Sequence, residues 1–335
     1  MVRWPVMTSS TPTIFFDHPL SNGNPPLWAC AWGDDAFGPW ALFRVEDARQ
    51  KMRWILPGSF RMGSPETEAG RRDNEGPPHD VELSDGFWLF DTPCTQRLWQ
   101  AVMGENPSRF QAPDRLVERV SWEDCQQFVR RIAELVPGLK LSLPTEAQWE
   151  CACRAGNDTA TYADDLQILG VNNAPVLDEI AWYGGNCGVE FDLSEGESTT
   201  DRNGKQYEFA KGGTRSVAKK KPNGWGLYDM LGNVWEWCLD GKREYAAVTV
   251  RDPCGPQQAS ADRVIRGGSW YGPALHVRSA FRYWIDPSNR YDDLGFRCSS
   301  SGREQGAREG GAGAAPGEDS AATSDGNEVS SGGAK

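Results

Sequence analysis

Nine cysteines and three histidines are the side chains of this 335-residue chain best suited to hold a metal or attack a substrate. Their spacing argues against both uses. The cysteines are odd in number and scattered, with no C-x-x-C pair of the kind that clamps zinc or runs dithiol chemistry. On a helix, Cys151 and Cys153 would point to different faces. Reduced, mostly buried thiols in a cytoplasm are the expected state. His18, His79 and His276 are too far apart for any two to share a helical face as a ligand pair would. Each is expected to be exposed or locally hydrogen-bonded.

A different pattern occupies Arg263 to Cys298, RVIRGGSWYGPALHVRSAFRYWIDPSNRYDDLGFRC. A frame of Gly267, Gly268, Ser269, Val277, Arg278, Ser279, Ala280, Arg282, Pro287, Arg290, Leu294, Gly295, Phe296 and Arg297 is interrupted by short clusters. These are Tyr271-Gly272, Leu275-His276, Phe281, Tyr283-Trp284-Ile285 and Tyr291-Asp292-Asp293, and they share no chemistry. Such a pattern suits a recognition surface better than a reaction centre. Tyr, Trp and Phe offer large rigid contact area at low side-chain entropy cost. Trp284 is expected to be the dominant contact, because hot spots are enriched in Trp. Asp292 and Asp293 would add polar selectivity, while Trp270 continues the frame and is expected in the core. The frame arginines Arg266, Arg278, Arg282, Arg290 and Arg297 are expected to bind carbonyls and carboxylates and so pin irregular loops.

The elements that must position this segment are modest. Residues 1–51 form a Pro/Gly/Trp-rich packing extension, with short strands predicted around the Gly33-Asp34-Asp35 turn. The main domain is predicted over 52–298. MRWILPGSFRMGS reads as two strands, SPETEAGRRDNEGPPHD as a charged loop and VELSDGFWLFD as a strand pair. Thr95 to Met103 reads as a short helix with Leu98, Trp99 and Val102 inward. Ser121 caps a longer helix carrying Trp122, Cys125, Phe128, Ile132 and Leu135 at helical spacing, with Asp124 at the capping-box position. A third helix starts at Thr145. Residues 299–335 are poor in apolar side chains and are predicted to be disordered.

The net charge of -12 argues against nucleic acid as the partner, since phosphate neutralisation needs a basic face. Lys219-Lys220-Lys221 reads as a solvated loop. No apolar run approaches the roughly 20 residues of a membrane span, and the N-terminus lacks signal-peptide features. A cytoplasmic protein with an unknown protein or other macromolecular ligand is expected.

Six motifs resemble, in order, those of formylglycine-generating (sulfatase-modifying factor) proteins. They are GSFRMGS, the VSWEDC helix, LPTEAQWECACRAG, NGWGLYDMLGNVWEW, RVIRGGSW and LGFRC, and they cover roughly Met52 to Cys298. The resemblance implies an α+β, loop-rich, C-type-lectin-like fold, but a fold does not settle function. The oxidase branch is similar to this chain except for its copper-binding cysteine pair just after the RGGS-type motif; here no cysteine lies between Cys254 and Cys298. Soft Cu(I) needs those thiolates. The branch resembling iron-dependent sulfoxide synthases needs a three-histidine site, which His18, His79 and His276 do not supply.

The segment most resembles the variable region of diversity-generating retroelement variable proteins. There, adenine-directed mutagenesis rewrites short runs of positions displayed on a lectin-like scaffold. The resemblance implies a diversified ligand-binding protein with no catalytic residues and no required cofactor. The alternatives are an oxidative enzyme of the superfamily and a calcium-dependent sugar-binding lectin. It further implies a structural calcium held by Asp229, Glu236 and the carbonyls of Gly232 and Val234, hard oxygen ligands for a hard cation. Equally open is that Asp229 and Glu236 only cap or pair with arginines.

Overall fold

The computed structural model describes residue 20 and residues 25–258 and 261–301. His18, the N-terminal leader region and residues 302–335 of the expected tail lie outside the described residues.

Alternating side chains from Trp28 onward produce a hairpin. Strands β1 (Ala31–Asp35) and β2 (Gly38–Val45) pair antiparallel. The turn falls just after Gly33-Asp34-Asp35, where the Asp35 carboxylate accepts from the Phe37 amide at 2.9 Å. The chain returns as β3 (Ala48–Ile55), followed by β4 (Gly58–Met62), β5 (His79–Leu83) and β6 (Phe87–Phe90). Helix α1 (Gln96–Met103) and helix α2 (Trp122–Leu135) then pack on one another. They lead to β7 (Leu141–Ser142), α3 (Glu146–Arg154) and the single turn α4 (Leu177–Ile180). Short strands β8 (Glu197–Ser198) and β9 (Lys211–Gly212) pair with each other. The remaining strands are β10 (Trp235–Gly241), β11 (Val250–Arg251), β12 (Arg263–Arg266), β13 (Arg282–Ile285), β14 (Leu294–Gly295) and β15 (Ser299–Ser301). The result is a mixed α+β fold, rich in sheet and short of helix.

The largest sheet has the order β1-β2-β3-β6-β15-β7. Two expected boundaries move because of it. Residues 31–51 are strands of this sheet, with Ala41, Phe43 and Ala48 fully buried, so a division at residue 52 would cut through β3. Ser299–Ser301, expected as the start of the tail, pair with Phe87–Leu89 and Leu141–Ser142. Backbone hydrogen bonds hold them, and three serines carry no apolar pattern by which a strand could be recognised.

The caps follow the expected chemistry. Ser121 Oγ accepts from Asp124 N at 3.1 Å and the Asp124 carboxylate accepts from Ser121 N at 2.9 Å. Cys125, Phe128 and Ile132 face the core, but Leu135 is 52% exposed. Val136, just past the helix end, takes the buried position expected of Leu135.

The segment from Arg263 supplies three strands of the second sheet, ordered β13-β12-β10-β14. One face of this sheet, with Trp237, Ile265 and Leu294, joins the core under α1 and α2. The other, with Val264, joins a second core around α3 and Trp149. Arginines from the segment cross into buried positions and meet glutamates from distant elements. Arg282 holds Glu146 through two contacts of 2.7 Å. Arg278 meets Glu75 at 2.6 Å and Glu68 at 2.5 Å, and Arg297 grips Glu236 at 2.8 Å through two nitrogens. Arg266 pairs with Glu150 and reaches Glu146 at 3.7 Å. Burial alone would raise the Glu150 carboxyl, yet Arg266 and Arg154 hold it below the usual range. Arg290, by contrast, forms an exposed pair with Asp124.

Arg266→Ala would leave Glu150 buried beside only Arg154. Loss of one partner from a buried pair costs about 3–5 kcal/mol. The urea midpoint should fall accordingly, with an unchanged slope; a midpoint near that of the wild type would show that these pairs do not hold the segment.

Candidate functional site

Where β12 ends, Gly267 and Gly268 take φ of 96° and 75°, a region that disfavours side chains. Space forbids them too. A Cβ on Gly268 would lie 2.9 Å from the His276 carbonyl oxygen. This turn drops Ser269 and Trp270 inward and lifts Tyr271 out. Trp270 is buried as frame: its indole N–H donates to the Asp292 carbonyl at 3.1 Å, and its ring meets Phe110 edge-on.

Beside that turn lies an open pocket of about 430 Å3. Its apolar wall is Trp235, Ile265, Phe281, Ile285 and Leu294, and Tyr271, Tyr283 and Tyr291 form its mouth. These three tyrosines are 57%, 45% and 49% exposed. Gly272 and Pro273 add backbone, and Arg72, Ser269, His276 and Asp293 add polar groups.

The expected surface residues divide into two groups. Tyr271, Gly272, His276, Phe281, Tyr283, Ile285, Tyr291 and Asp293 all line this one pocket. Phe281 is a correction to a displayed position, because it is 1% exposed. Its ring lies 4.4 Å from that of His276 and 5.7 Å from that of Trp235. Leu275, Trp284 and Asp292 lie outside the pocket lining. Leu275 sits over Gly70, and Asp292 is held by Arg109 at 2.6 Å. Trp284 is the larger correction. Tyr283 and Ile285 face the pocket, so strand alternation turns Trp284 to the opposite face. There it pairs with Val264 across the ladder and lies under the Lys242 ammonium at 4.4 Å.

Sequence reasoning missed Arg72, Trp235, Ile265, Ser269, Pro273 and Leu294 as pocket residues. Trp235 was recoverable in part, because alternation from Trp237 places it on the same face of β10. Arg72 gave no signal. It lies in the stretch expected to be a solvated charged loop, yet Glu68 and Glu75 of that loop are buried against Arg278. Of the lysines expected to be solvated, Lys219 and Lys221 are exposed, whereas Lys220 lies 3.9 Å over the Trp182 ring.

The polar groups do not form a nucleophilic relay. Ser269 donates its hydroxyl to Asp293 at 2.7 Å rather than to His276. Arg72 Nη2 lies 3.2 Å from His276 Nε2. A guanidinium can only donate, so Nε2 is the acceptor and the imidazole is neutral. Burial, with Arg72 and Arg278 nearby, pushes His276 down to about 4. Burial raises Asp293 to about 6, against the opposing effects of the Ser269 hydrogen bond and Arg202.

The two carboxylates expected to help hold calcium are both engaged by protein donors. Glu236 accepts from Trp149 Nε1 at 2.9 Å as well as from Arg297. Asp229 accepts from Ala218 N at 2.7 Å and Asn233 Nδ2 at 3.2 Å. The Gly232 N–H donates to Gly267 O. Among the described residues no group of three or more His, Cys, Asp or Glu is arranged to hold a metal. Seven of the nine thiols are buried, and only Cys30 and Cys254 are exposed.

Comparisons with known proteins agree with this architecture. A sulfatase-modifying factor enzyme 1-like domain matches residues 42–301. The formylglycine-generating enzyme of Thermomonospora curvata is 30% identical over 306 residues, covering 73% of this chain and 92% of that protein. Chaperone protein LppX of Paenibacillus barcinonensis is 30% identical over 254 residues, covering 66% and 82%. The chain spans about half the length of the mammalian formylglycine-generating enzymes it matches. Among solved structures, Treponema denticola variable protein 1 is similar with a TM-score of 0.61 and 28% identity, covering 78% of this chain and 98% of that one.

Two outcomes follow. Tyr271→Ala, Tyr283→Ala and Tyr291→Ala should each change stability by less than ~0.5 kcal/mol, whereas Phe281→Ala should cost about 3–5 kcal/mol; thermal denaturation separates them. Asp293 has a folded-state pKa above its unfolded one. Its contribution is therefore present below about 4 and is lost as pH rises through about 6. The drop in Tm between pH 4 and pH 7 should be smaller in Asp293→Asn.

Proposed function

The chain belongs to the sulfatase-modifying factor enzyme 1-like family, and on that premise we propose that it is a ligand-binding member that displays a diversified surface. One observation carries the reading: a single pocket mouth gathers Tyr271, Tyr283 and Tyr291, all from the interrupting clusters and all exposed. Arg278 and Arg282, between them in sequence, are buried in ion pairs. Stability and recognition thus reside on different residues of one segment. That is the arrangement needed if the displayed positions are rewritten while the scaffold survives. The resemblance of the segment to diversity-generating retroelement variable regions supports the same reading. So does the likeness to a protein named variable protein 1. The ligand is a protein or other macromolecule, since the mouth is open and aromatic rather than enclosed, and the protein acts in the cytoplasm without a bound cofactor.

The likeness to formylglycine-generating enzymes keeps an oxidative activity as the second reading. Against it, no residue lining the pocket is a cysteine, and soft thiolates are what Cu(I) requires. Ser269 and His276, the other groups there, are engaged by Asp293 and Arg72.

Deep sequencing of the 3′ end of the gene and its flanking DNA in a growing population tests diversification. The expected result is a nearby near-copy of the segment encoding Arg263 to Cys298, differing from it at template adenines. Variation should fall on the codons of the tyrosine clusters and spare those of the buried arginines. An invariant segment with no repeat would overturn the proposal in favour of a dedicated ligand or an enzyme.

A further inference from the structure

The chain is acidic, with 47 Asp and Glu against 35 Lys and Arg, yet several of its described arginines have no carboxylate partner. One of these lines the pocket and another lies behind its mouth. Arg72 lines it, with its guanidinium 4.8 Å over the Phe281 ring. Arg202 lies 4.1 Å over the ring of Tyr271. Among the described residues neither has a carboxylate within 4.0 Å, and Arg202 Nη2 is buried with no hydrogen-bond partner. Nearby arginines behave differently: Arg109 is paired with Asp292 and Glu197, and Arg290 with Asp124. The pocket's own acid, Asp293, is tied to Ser269.

Arg72 is also placed rather than loose. Its backbone N–H donates to the Glu75 carboxylate at 3.1 Å, and Arg278 clamps that carboxylate from the other side. At the tip, neutral His276 accepts one N–H and supplies no countercharge. The other guanidinium N–H groups make no hydrogen bond among the described residues. They form a planar fork suited to a carboxylate.

The second feature is a strand edge. In the order β13-β12-β10-β14, β13 is terminal. The backbone of Tyr283, Trp284 and Ile285 bonds only to β12 among the described residues. Tyr283 and Ile285 direct their side chains into the pocket lining. A chain added beside β13 would run about 4.8 Å away and send alternate side chains to the pocket face.

We infer that the ligand is an extended acidic peptide segment of a partner protein, laid along the outer edge of β13 with a carboxylate on Arg72. The inference rests on the reading of this pocket as the ligand site. The tyrosine rings pack the peptide's apolar atoms, Arg72 selects the acid, and Arg202 adds positive potential from behind Tyr271.

The test is a phage-displayed random peptide library panned on the full chain, followed by binding measurements on the enriched peptides. Enriched sequences should carry Asp or Glu, and their affinity should fall as salt rises from about 50 to about 300 mM. Arg72→Gln should weaken binding about tenfold or more, Arg72→Lys should retain part of it, and Arg202→Gln should weaken it less. N-methylation at alternate peptide positions should abolish binding in one register and spare it in the other. Arg72 is exposed, so an unchanged Tm verifies the fold of its variants. Peptides that lack acids, or that bind Arg72→Gln equally well, would overturn this inference. If their binding is still lost in Tyr283→Ala, the aromatic surface stands as the ligand site. Retention of a sulfated glycan on an array, with no peptide retained, would overturn the peptide assignment alone. Binding of neither, or binding indifferent to Tyr271, Tyr283 and Tyr291, would overturn both readings.

Discussion

A set of buried arginine–glutamate pairs is the constraint on which the rest of this structure depends. Arg266, Arg278, Arg282 and Arg297 all arise within one segment, and each meets a glutamate from far along the chain. Burying both charges is expensive, and the return comes only when geometry is good and the remaining N–H groups are satisfied. Here they largely are: Arg266 also reaches the carbonyls of Ser279, Ala280 and Phe281, and Arg297 those of Phe90, Tyr228 and Asp229. An apolar replacement could match such pairs in stability, but it could not hold so many carbonyls of irregular backbone in fixed directions.

That rigidity separates two tasks within one segment. Residues pointing into the two cores carry the fold, and on the proposed reading those pointing into the pocket mouth carry recognition. The same alternation that buries Val264 and Ile265 on opposite faces of β12 places Trp284 and Tyr283 on opposite faces of β13. Side chains at the mouth can therefore change without disturbing the ladder beneath them. Phe281 is the exception that closes the floor, packed at a tilt against His276 and Trp235 under Arg72.

The pocket is built by the scaffold itself. Its walls come from β10, β12, β13 and β14, the sheet held by the buried pairs, so its shape is independent of any reacting group. The pocket presents a tyrosine mouth, a neutral histidine and a serine committed to a carboxylate. The loop carrying Arg72 reaches the pocket only because Arg278 buries Glu68 and Glu75.

Much of this was readable from residue types. The capping box at Ser121, the start of α3 at Thr145, the inward stripe of α1, the pinning role of the frame arginines and the core position of Trp270 all follow from local chemistry and spacing. So does the division of the segment into frame and clusters, because repeated Gly, Arg and aromatic positions carry their constraints in their identity. What the sequence could not supply was direction and distance. It did not say that Trp284 turns away while Tyr283 enters the pocket, that Phe281 is floor rather than rim, or that Ser299–Ser301 form an inner strand. Nor did it bring Arg72 across the molecule to His276. Those outcomes depend on strand pairing and on charges meeting across long stretches of chain, and only the folded packing decides which partner each side chain finds.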